Sequence, residues 1–328
     1  MMKNTDRTRR QFLKISSMIP VLILISITGC SGSAPAGYPA SDIKIIIPYN
    51  AGGGFDTYVR ALGPYLEKHL PNKINVLPIN VPGAGGRRGA SDVYRASPDG
   101  YTIGVFNLPG VMLPQLQGED VGYDLFKVSW LATISIDGYA YIVKKDSPLD
   151  SIEAVKQMGR PITYGATGPS STSYIATTIV SDALGIPYEV VTGYTGSSEY
   201  ILGVIRGDVD AAFANLSTVR PYLDSGDVKM LAIIGTESTD PTIRDATGLG
   251  IPELNNISVI RMLGAPPGLP DDIKTTLENA LLAAVNDPGF QDWLKQTGNE
   301  VHYSGAAETT RSVAGMAKFY ENFKQKLE

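Results

Sequence analysis

The sequence of 328 residues predicts an α/β fold, because one local pattern occurs several times along it. Short apolar runs rich in Val and Ile, which favour buried strands, each precede a polar loop that contains glycine. Apolar side chains at helical spacing follow these loops. Strands that alternate with helices in this way are typical of parallel α/β architecture. Since a domain usually takes roughly 100–200 residues, we expect two domains.

The clearest example of the pattern is residues 43–60, IKIIIPYNAGGGFDTYVR. Its apolar run should form a strand that ends at Pro48, because proline has no N–H for a strand ladder. The three glycines 52–54 allow positive φ and close approach of the backbone to another molecule. A helix should follow Asp56, and we expect Pro64 to kink it or end it early. Strand, glycine loop and helix N-terminus together concentrate free N–H donors, which suits an anion.

Similar strand and loop units follow along the chain. The predicted strands that precede polar loops or single polar residues cover 74–81, 101–106, 162–166, 188–192 and 207–213. Longer apolar strands are expected at 130–143 and 258–265, and helices at 271–285, 288–297 and 309–325. In open α/β sheets, ligands bind beyond the carboxyl ends of strands, so the loops after the strands are the candidate ligand contacts.

The first thirty residues have the features of an export signal. Residues 8–14, TRRQFLK, resemble the twin-arginine motif, and the apolar run at 15–28 is shorter than the roughly 20 residues that span a bilayer. Residues 27–30, ITGC, resemble a lipobox, in which Cys30 becomes lipidated. We therefore expect a signal peptide over 1–29, a tether over 30–41, and an extracytoplasmic protein anchored to the membrane by lipid on Cys30.

The composition argues against several classes of function. The net charge of −5 becomes −9 without residues 1–29, and such an acidic body disfavours nucleic-acid binding. Cys30 is the only cysteine, so neither an intrachain disulfide nor a cysteine-based metal site is expected, and we predict no metal and no cofactor. His69 and His302 lie outside the glycine loops, and neither a G-x-S-x-G nor a phosphate-loop motif occurs. We therefore do not expect an enzyme.

Six motifs, in their order along the chain, resemble the substrate-binding receptors of tripartite tricarboxylate transporters, the TctC or Bug family. They lie within about residues 43–326 and read IIIPYNAGGGFDTYVR, NVPGAGGRRGA, PDGYTIG, YGATGPSS, GYTGSSEYILGVIRGDVDAAF and MLGAPPGLP. The resemblance implies a two-lobed periplasmic-binding-protein type II fold with the ligand cleft between the lobes. We expect lobe 1 to contain 42–141 and 259–328, and lobe 2 to contain 142–258.

The resemblance also implies a function and partners. A receptor of this family captures a small carboxylate, such as a di- or tricarboxylate, for a secondary transporter with two integral-membrane subunits. We expect such a receptor to be a monomer. The alternatives are a receptor of the same fold for an uncharged or aromatic ligand, a sensory binding protein and, least favoured, a secreted hydrolase.

The candidate ligand contacts come from the loops that would face each other across the cleft. They are Tyr49, Gly52, Gly53, Gly54, Phe55, Asp56, Gly85, Arg87 and Asn107 on lobe 1, and Thr167, Ser171, Ser173, Tyr194, Thr195, Gly196 and Asn215 on lobe 2. Main-chain N–H groups and hydroxyls can hold a carboxylate without a buried lysine. The glycines have an alternative role as a tight turn, the two serines as helix caps and Asn215 as a turn residue.

Two of the charged candidates have competing interpretations. A carboxylate repels an anionic ligand, so Asp56 should mainly accept hydrogen bonds from N–H groups at the helix start, and its alternative is contact through water or an ammonium group. Arg87 and Arg88 replace the small polar and aliphatic residues usual in the family. They are either a bidentate clamp on a distal carboxylate or a solvated pair on a loop.

Overall fold

The computed structural model describes residues 37–169, 171–297, 299 and 302–323. The expected signal peptide, the lipidation site Cys30 and most of the expected tether lie outside the described residues. Within the described ranges, no helix combines the length and the hydropathy needed to cross a membrane.

The described residues form two β-sheets. In chain order the strands are β1 (Ile43–Ile47), β2 (Val76–Asn80), β3 (Thr102–Leu108), β4 (Ser129–Asp137), β5 (Tyr139–Lys144), β6 (Ile162–Gly165), β7 (Tyr188–Val191), β8 (Ala211–Asn215), β9 (Val228–Ile234), β10 (Val259–Ala265) and β11 (Ser304–Gly305). The first sheet has the order β11-β4-β10-β3-β1-β2, and the second has the order β7-β6-β8-β5-β9. Each sheet with its helices forms one lobe.

Both sheets are mixed, whereas the alternation of strands and helices predicts parallel strands. In the first sheet β1 pairs in parallel with β2 and β3, but β10 runs antiparallel to both β3 and β4. In the second sheet β6 is parallel to β7 and β8, but β5 runs antiparallel to β8 and β9. The strands β5 and β10 each follow directly after a crossing from the other sheet. Neither crossing contains a long crossover helix of the kind that parallel pairing requires.

Helices cover the sheets and begin beside strand ends. The α-helices of the described residues are α1 (Gly54–His69), α2 (Arg87–Arg95), α3 (Leu113–Leu116), α4 (Ile152–Lys156), α5 (Thr172–Leu184), α6 (Ser197–Arg206), α7 (Leu216–Asp224), α8 (Asp271–Val285), α9 (Pro288–Thr297) and α10 (Ala306–Glu321). Short 3-10 turns cover Ala84–Gly86 and Pro252–Asn256. In the first lobe α1 packs on α8, α9 and β2, and in the second lobe α6 and α7 pack on β5 and β8.

The helix α1 does not end at Pro64 but continues to His69. The predicted early end is therefore wrong. A proline inside a helix costs about 3 kcal/mol, because it removes one hydrogen bond and crowds the preceding turn. Leu62 and Leu66, on either side of the proline, are both fully buried, and their packing offsets this cost.

The first crossing between the sheets occurs at Gly138, which separates β4 from β5. The single strand predicted over 130–143 is therefore two strands in different sheets. A Cβ atom on Gly138 would lie 2.5 Å from Cγ2 of Thr236 and 2.9 Å from the carbonyl oxygen of Ile234, so only glycine fits here. The second crossing connects β9 to β10. The exact division of the chain between the lobes stays a prediction.

Asp210 joins two strands at the centre of the second sheet. Its carboxylate accepts hydrogen bonds from both terminal nitrogens of Arg160, at 2.7 and 2.8 Å. It also accepts from the main-chain N–H and the hydroxyl of Thr163 on β6, at 2.9 and 2.8 Å. The bond from Arg160, supported by those from Thr163, lowers the pKa of Asp210 to about 2.

We expect Asp210→Asn to lower stability at pH 7 by about 1–2 kcal/mol, the usual loss when one partner of a partly exposed charged pair is removed. Because the folded pKa is below the ordinary value of 3.8, Asp210 stabilises the wild type above that pH and loses this effect as the pH falls to about 2. The variant should therefore lose less stability than the wild type over this interval. Thermal unfolding at pH 7 and through the acid range measures both effects, and parallel curves for the two proteins would contradict the prediction.

Candidate functional site

A cavity of about 300 Å³ lies between the loops of the two lobes. The first lobe contributes the loop between β1 and α1, the first two residues of α1 and one residue of β3, and the second lobe contributes residues that follow β6 and β7 and the last residue of β8. The lining residues are Tyr49, Asn50, Ala51, Gly52, Gly53, Gly54, Phe55 and Asn107 from the first lobe, and Thr167, Ser171, Thr172, Ser173, Thr195, Gly196, Ser197, Ser198, Glu199, Tyr200, Leu202 and Asn215 from the second. No Lys, Arg or His belongs to this wall in the described part of the chain.

Four helices of the described chain begin at the cavity wall: α1, α5, α6 and α7. The first N–H groups of a helix have no partner within the helix, and its N-terminus carries partial positive charge. The residues before α1, α6 and α7 are Gly53, Gly196 and Asn215, and none of these three makes a side-chain capping bond. Only α5 is capped, because Ser171 accepts from the N–H of Tyr174. The starts of α1 and α6 therefore direct N–H donors at the wall, whereas the first N–H of α7, that of Leu216, already donates to the carbonyl of Gly138 at 3.0 Å.

Asp56 accepts hydrogen bonds that fix the glycine loop in place. Its buried carboxylate accepts from the N–H of Gly52 at 2.9 Å, from the side chain of Asn80 at 2.9 Å and from Nε of Arg60 at 2.8 Å. Burial alone would raise the pKa of Asp56, but the bonds from Arg60, Gly52 and Asn80 outweigh burial and lower it. Gly52 itself has φ of +85°, a conformation that favours glycine. The glycine loop is thus fixed by a carboxylate that does not itself line the cavity.

Tyr49, Asn107 and Thr172 link the two lobes at the cavity wall. The side-chain N–H₂ of Asn107 donates to the hydroxyl of Tyr49 and, at 3.3 Å, to the hydroxyl of Thr172 in the second lobe. Burial raises the pKa of Tyr49 to about 12, although the bond from Asn107 and the charge of Arg261 act in the opposite direction. Tyr49 is therefore a neutral phenol at pH 7, and its hydroxyl donates to the carbonyl of Gly85 at 3.3 Å.

Two groups of hydroxyls on the second lobe already have partners. The hydroxyl of Ser171 contacts the carbonyl of Gly168 at 2.8 Å and the hydroxyl of Ser173 at 3.0 Å. The carboxylate of Glu199 accepts from the N–H and the hydroxyl of Thr195, at 2.6 and 2.8 Å. These two bonds lower the pKa of Glu199, so it stays charged at the wall. In this structure the donors of Thr195 are thus committed to Glu199.

Four of the predicted contact residues are not on the cavity wall: Asp56, Gly85, Arg87 and Tyr194. Gly85 lies behind Tyr49, and its carbonyl accepts from the Tyr49 hydroxyl. Nε of Arg87 donates to the carbonyl of Ala84 at 3.0 Å, and its guanidinium forms an ion pair with Glu119. The Tyr194 ring packs edge-on against Tyr200, and a Cβ on Gly203 would lie 2.7 Å from its hydroxyl, so this ring faces the interior of the second lobe.

The other predicted contact residues all lie on the wall, together with several that the sequence did not single out. Those lining residues are Asn50, Ala51, Thr172, Ser197, Ser198, Glu199, Tyr200 and Leu202. Most of them are neighbours of predicted residues in the same loops. The pair of Thr195 and Glu199 does have a sequence signal, because a Glu four residues after a Thr suits a bond across the first helical turn.

Known proteins identify the family of this chain. A family model for the tripartite tricarboxylate transporter family receptor, TctC, matches residues 60–327. The chain belongs to this receptor family. Among relatives, the TctC receptor is 28% identical over 292 residues to a UPF0065 protein of Agrobacterium vitis, covering 85% of this chain and 82% of that protein.

Solved structures of similar fold confirm the two-lobed architecture of this TctC receptor. The periplasmic binding protein BugD superposes with a TM-score of 0.79 at 24% identity, covering 88% of this chain and 98% of BugD. MatC from Rhodopseudomonas palustris, solved with bound malate, superposes with a TM-score of 0.75 at 21% identity, covering 89% of this chain and 100% of MatC. The family consists of solute-binding receptors, and membership implies an extracytoplasmic location for this TctC receptor.

Proposed function

We propose that this receptor captures a small di- or tricarboxylate in the cavity between its lobes and delivers it to a tripartite tricarboxylate-type secondary transporter. The observation that carries the proposal is the convergence of four helix N-termini, three of them uncapped, on a wall without basic side chains among the described residues. Main-chain N–H donors and helix dipoles bind an anion without a fixed cation. A bond to a charged group contributes about 1.5–3 kcal/mol, so three or four per carboxylate are consistent with micromolar affinity, about 8 kcal/mol.

The size of the cavity and one solved relative support a small acid as the ligand. A volume of about 300 Å³ suits a molecule of a few carbon atoms with two or three carboxylates. MatC, which shares the fold, was solved with malate. Glu199, the acidic side chain found among the described lining residues, would repel an anion, but its carboxylate is bonded to the N–H and the hydroxyl of Thr195.

The proposal extends to the cellular setting of the receptor. Residues 1–29 would direct export, Cys30 would carry the lipid anchor, and residues 30–41 would tether the folded part to the membrane. Two integral-membrane subunits would receive the ligand from a monomeric receptor. We also propose that it catalyses no reaction, since His69, the histidine at the end of α1, is paired with Asp287 and does not line the cavity.

A panel of ligands tests the proposal by thermal unfolding. Succinate, L-malate, adipate, citrate, benzoate and the diamides of the dicarboxylates should be compared at equal ionic strength. At a concentration of about 100 times Kd, a bound ligand stabilises the protein by about 2.7 kcal/mol, which raises the Tm by a few degrees. We expect at least one di- or tricarboxylate to do so and its amide to have no effect. If every acid leaves the Tm unchanged, or the amides stabilise equally well, the carboxylate proposal fails.

A further inference from the structure

Arg261 is a fully buried arginine on β10 whose guanidinium is only partly paired. Nη1 donates to the hydroxyl of Ser135 at 3.0 Å and lies 3.5 Å from the carboxylate of Asp137. Within the described part of the chain, Nε and Nη2 have no hydrogen-bond partner. Burying a charge is costly unless it is paired, so a guanidinium with an unpaired side requires an explanation.

The unpaired side of Arg261 faces the cavity wall. Its Cζ atom lies 4.8 Å from the centre of the Phe55 ring, which lines the cavity, and 5.4 Å from the centre of the buried Tyr58 ring. A Cβ atom on Gly54, another lining residue, would lie 3.3 Å from Nη2. Arg261 therefore sits directly behind the start of α1, separated from the cavity by the glycine loop and one aromatic ring.

The acidic partner of Arg261 is Asp137. Asp137 approaches Nη1, and its carboxylate also accepts a hydrogen bond from the hydroxyl of Ser217 on α7. Within this pair, Nη1 is the nitrogen near Asp137 and Nη2 is the nitrogen beside Gly54 of the glycine loop. Burial raises the pKa of Tyr49, a residue of the cavity wall, whereas the bond from Asn107 and the charge of Arg261 both lower it.

We propose that Arg261 determines the specificity of the site, because its charge acts through the wall and makes the cavity select anions over neutral ligands. This inference rests on the proposed function. Charges interact more strongly inside a protein than in water, so a guanidinium one layer behind the wall attracts a bound carboxylate without touching it. The main-chain donors then supply the geometry, and the guanidinium of Arg261 supplies a positive charge behind a wall that has no basic side chain among the described residues.

Three variants separate this role from a structural one. Arg261→Gln removes the positive charge, Arg261→Lys keeps it, and Asp137→Asn removes the counter-charge while its amide oxygen still accepts from Ser217. Calorimetric titration with L-malate should show affinity about tenfold weaker in R261Q, within about threefold of wild type in R261K, and severalfold stronger in D137N. A purely structural pair predicts weaker binding in both R261Q and D137N, which would overturn the proposal. If R261Q does not fold, the affinity of D137N for L-malate decides: stronger binding supports the proposal, and unchanged or weaker binding overturns it.

A measurement without ligand separates this inference from the proposed function. Tyr49→p-cyanophenylalanine places a nitrile at the cavity wall, and the frequency of its stretch reports the local electric field. R261Q and D137N should shift that frequency in opposite directions relative to the same protein without the second change. Shifts in the same direction, or no shift, would overturn the inference. If wild type does not bind L-malate, the proposed ligand class is in question, and the nitrile result still decides whether the field of Arg261 reaches the site.

Discussion

Gly53→Val should weaken carboxylate binding at least a hundredfold while leaving the receptor folded. Gly53 has φ of −81° and ψ of 167°, which a β-branched residue adopts without strain. The nearest atom to a Cβ at this position is the carbonyl oxygen of Asn50 at 3.7 Å, an ordinary contact. Since Gly53 lines the cavity and precedes the uncapped helix α1, a valine side chain would take up space beside the N–H donors.

We expect the affinity of Gly53→Val for the best ligand of the panel to fall at least a hundredfold, with the Tm within a few degrees of wild type. The matched control is Gly168→Val. Gly168 lies in a loop of the second lobe, has no atom within 4 Å of the place that a Cβ would take, and does not line the cavity. Calorimetric titration of both variants makes the comparison. A folded Gly53→Val protein with unchanged affinity would mean that the loop does not approach the ligand.

Gly235→Ala should destabilise the protein by about 3 kcal/mol, because two unfavourable effects coincide there. Gly235 follows β9 at the second crossing and has φ of +81°, which costs other residues about 1 kcal/mol or more. A Cβ atom would also lie 2.1 Å from the carbonyl oxygen of Ile257. That oxygen belongs to the backbone of the crossing, so relief of the overlap requires movement of the segment that joins the lobes.

Gly250→Ala provides the control for this prediction. Gly250 has nearly the same φ, +79°, but nothing within 4 Å of a Cβ position. It should lose about 1 kcal/mol, the cost of the backbone conformation alone. Urea unfolding of both variants separates the two effects. Equal losses in Gly235→Ala and Gly250→Ala would show that the close approach to Ile257 contributes nothing.

The glycine loop after β1 was predictable because its signals are local. Three fully buried isoleucines of β1, the proline that follows and the glycines 52–54 each constrain the backbone independently of the rest of the chain. The hydrogen bond from Gly52 to Asp56 is local too, but Gly52 precedes the helix, and the other two donors to Asp56 are the side chains of Arg60 and Asn80. The identification of the family rested on six such local motifs in order.

Features that depend on the tertiary structure were not predictable in the same way. The sequence of α7, LSTVRPYLD, contains Pro221, and a proline argues against a helix. For this reason the helix, whose N-terminus reaches the cavity, was not predicted. Residues 130–143 read as one strand, because β4 and β5 are both almost wholly buried and only Gly138 marks the change of sheet. Arg261 stands within an apolar strand, and its position behind Gly54 follows only from the pairing of β10 with β3 and β4.

The sequence left two roles open for Arg87. Both a distal clamp and a solvated loop pair suit two adjacent arginines, and the choice depends on which acid lies near in the fold. The structure places Glu119 beside Arg87, so this side chain has an acidic partner outside the cavity wall. Its release towards a ligand would have to break that pair.

Neutral main-chain donors at the converging helix N-termini should hold the ligand's carboxylate. A crystal structure with the most stabilising acid of the panel tests it most directly. We expect carboxylate oxygens within hydrogen-bonding distance of N–H groups at the starts of α1, α6 or α7, with no Arg or Lys side chain in contact. A carboxylate paired with Arg87 or another cationic side chain, or a ligand bound outside the cavity, would contradict the claim.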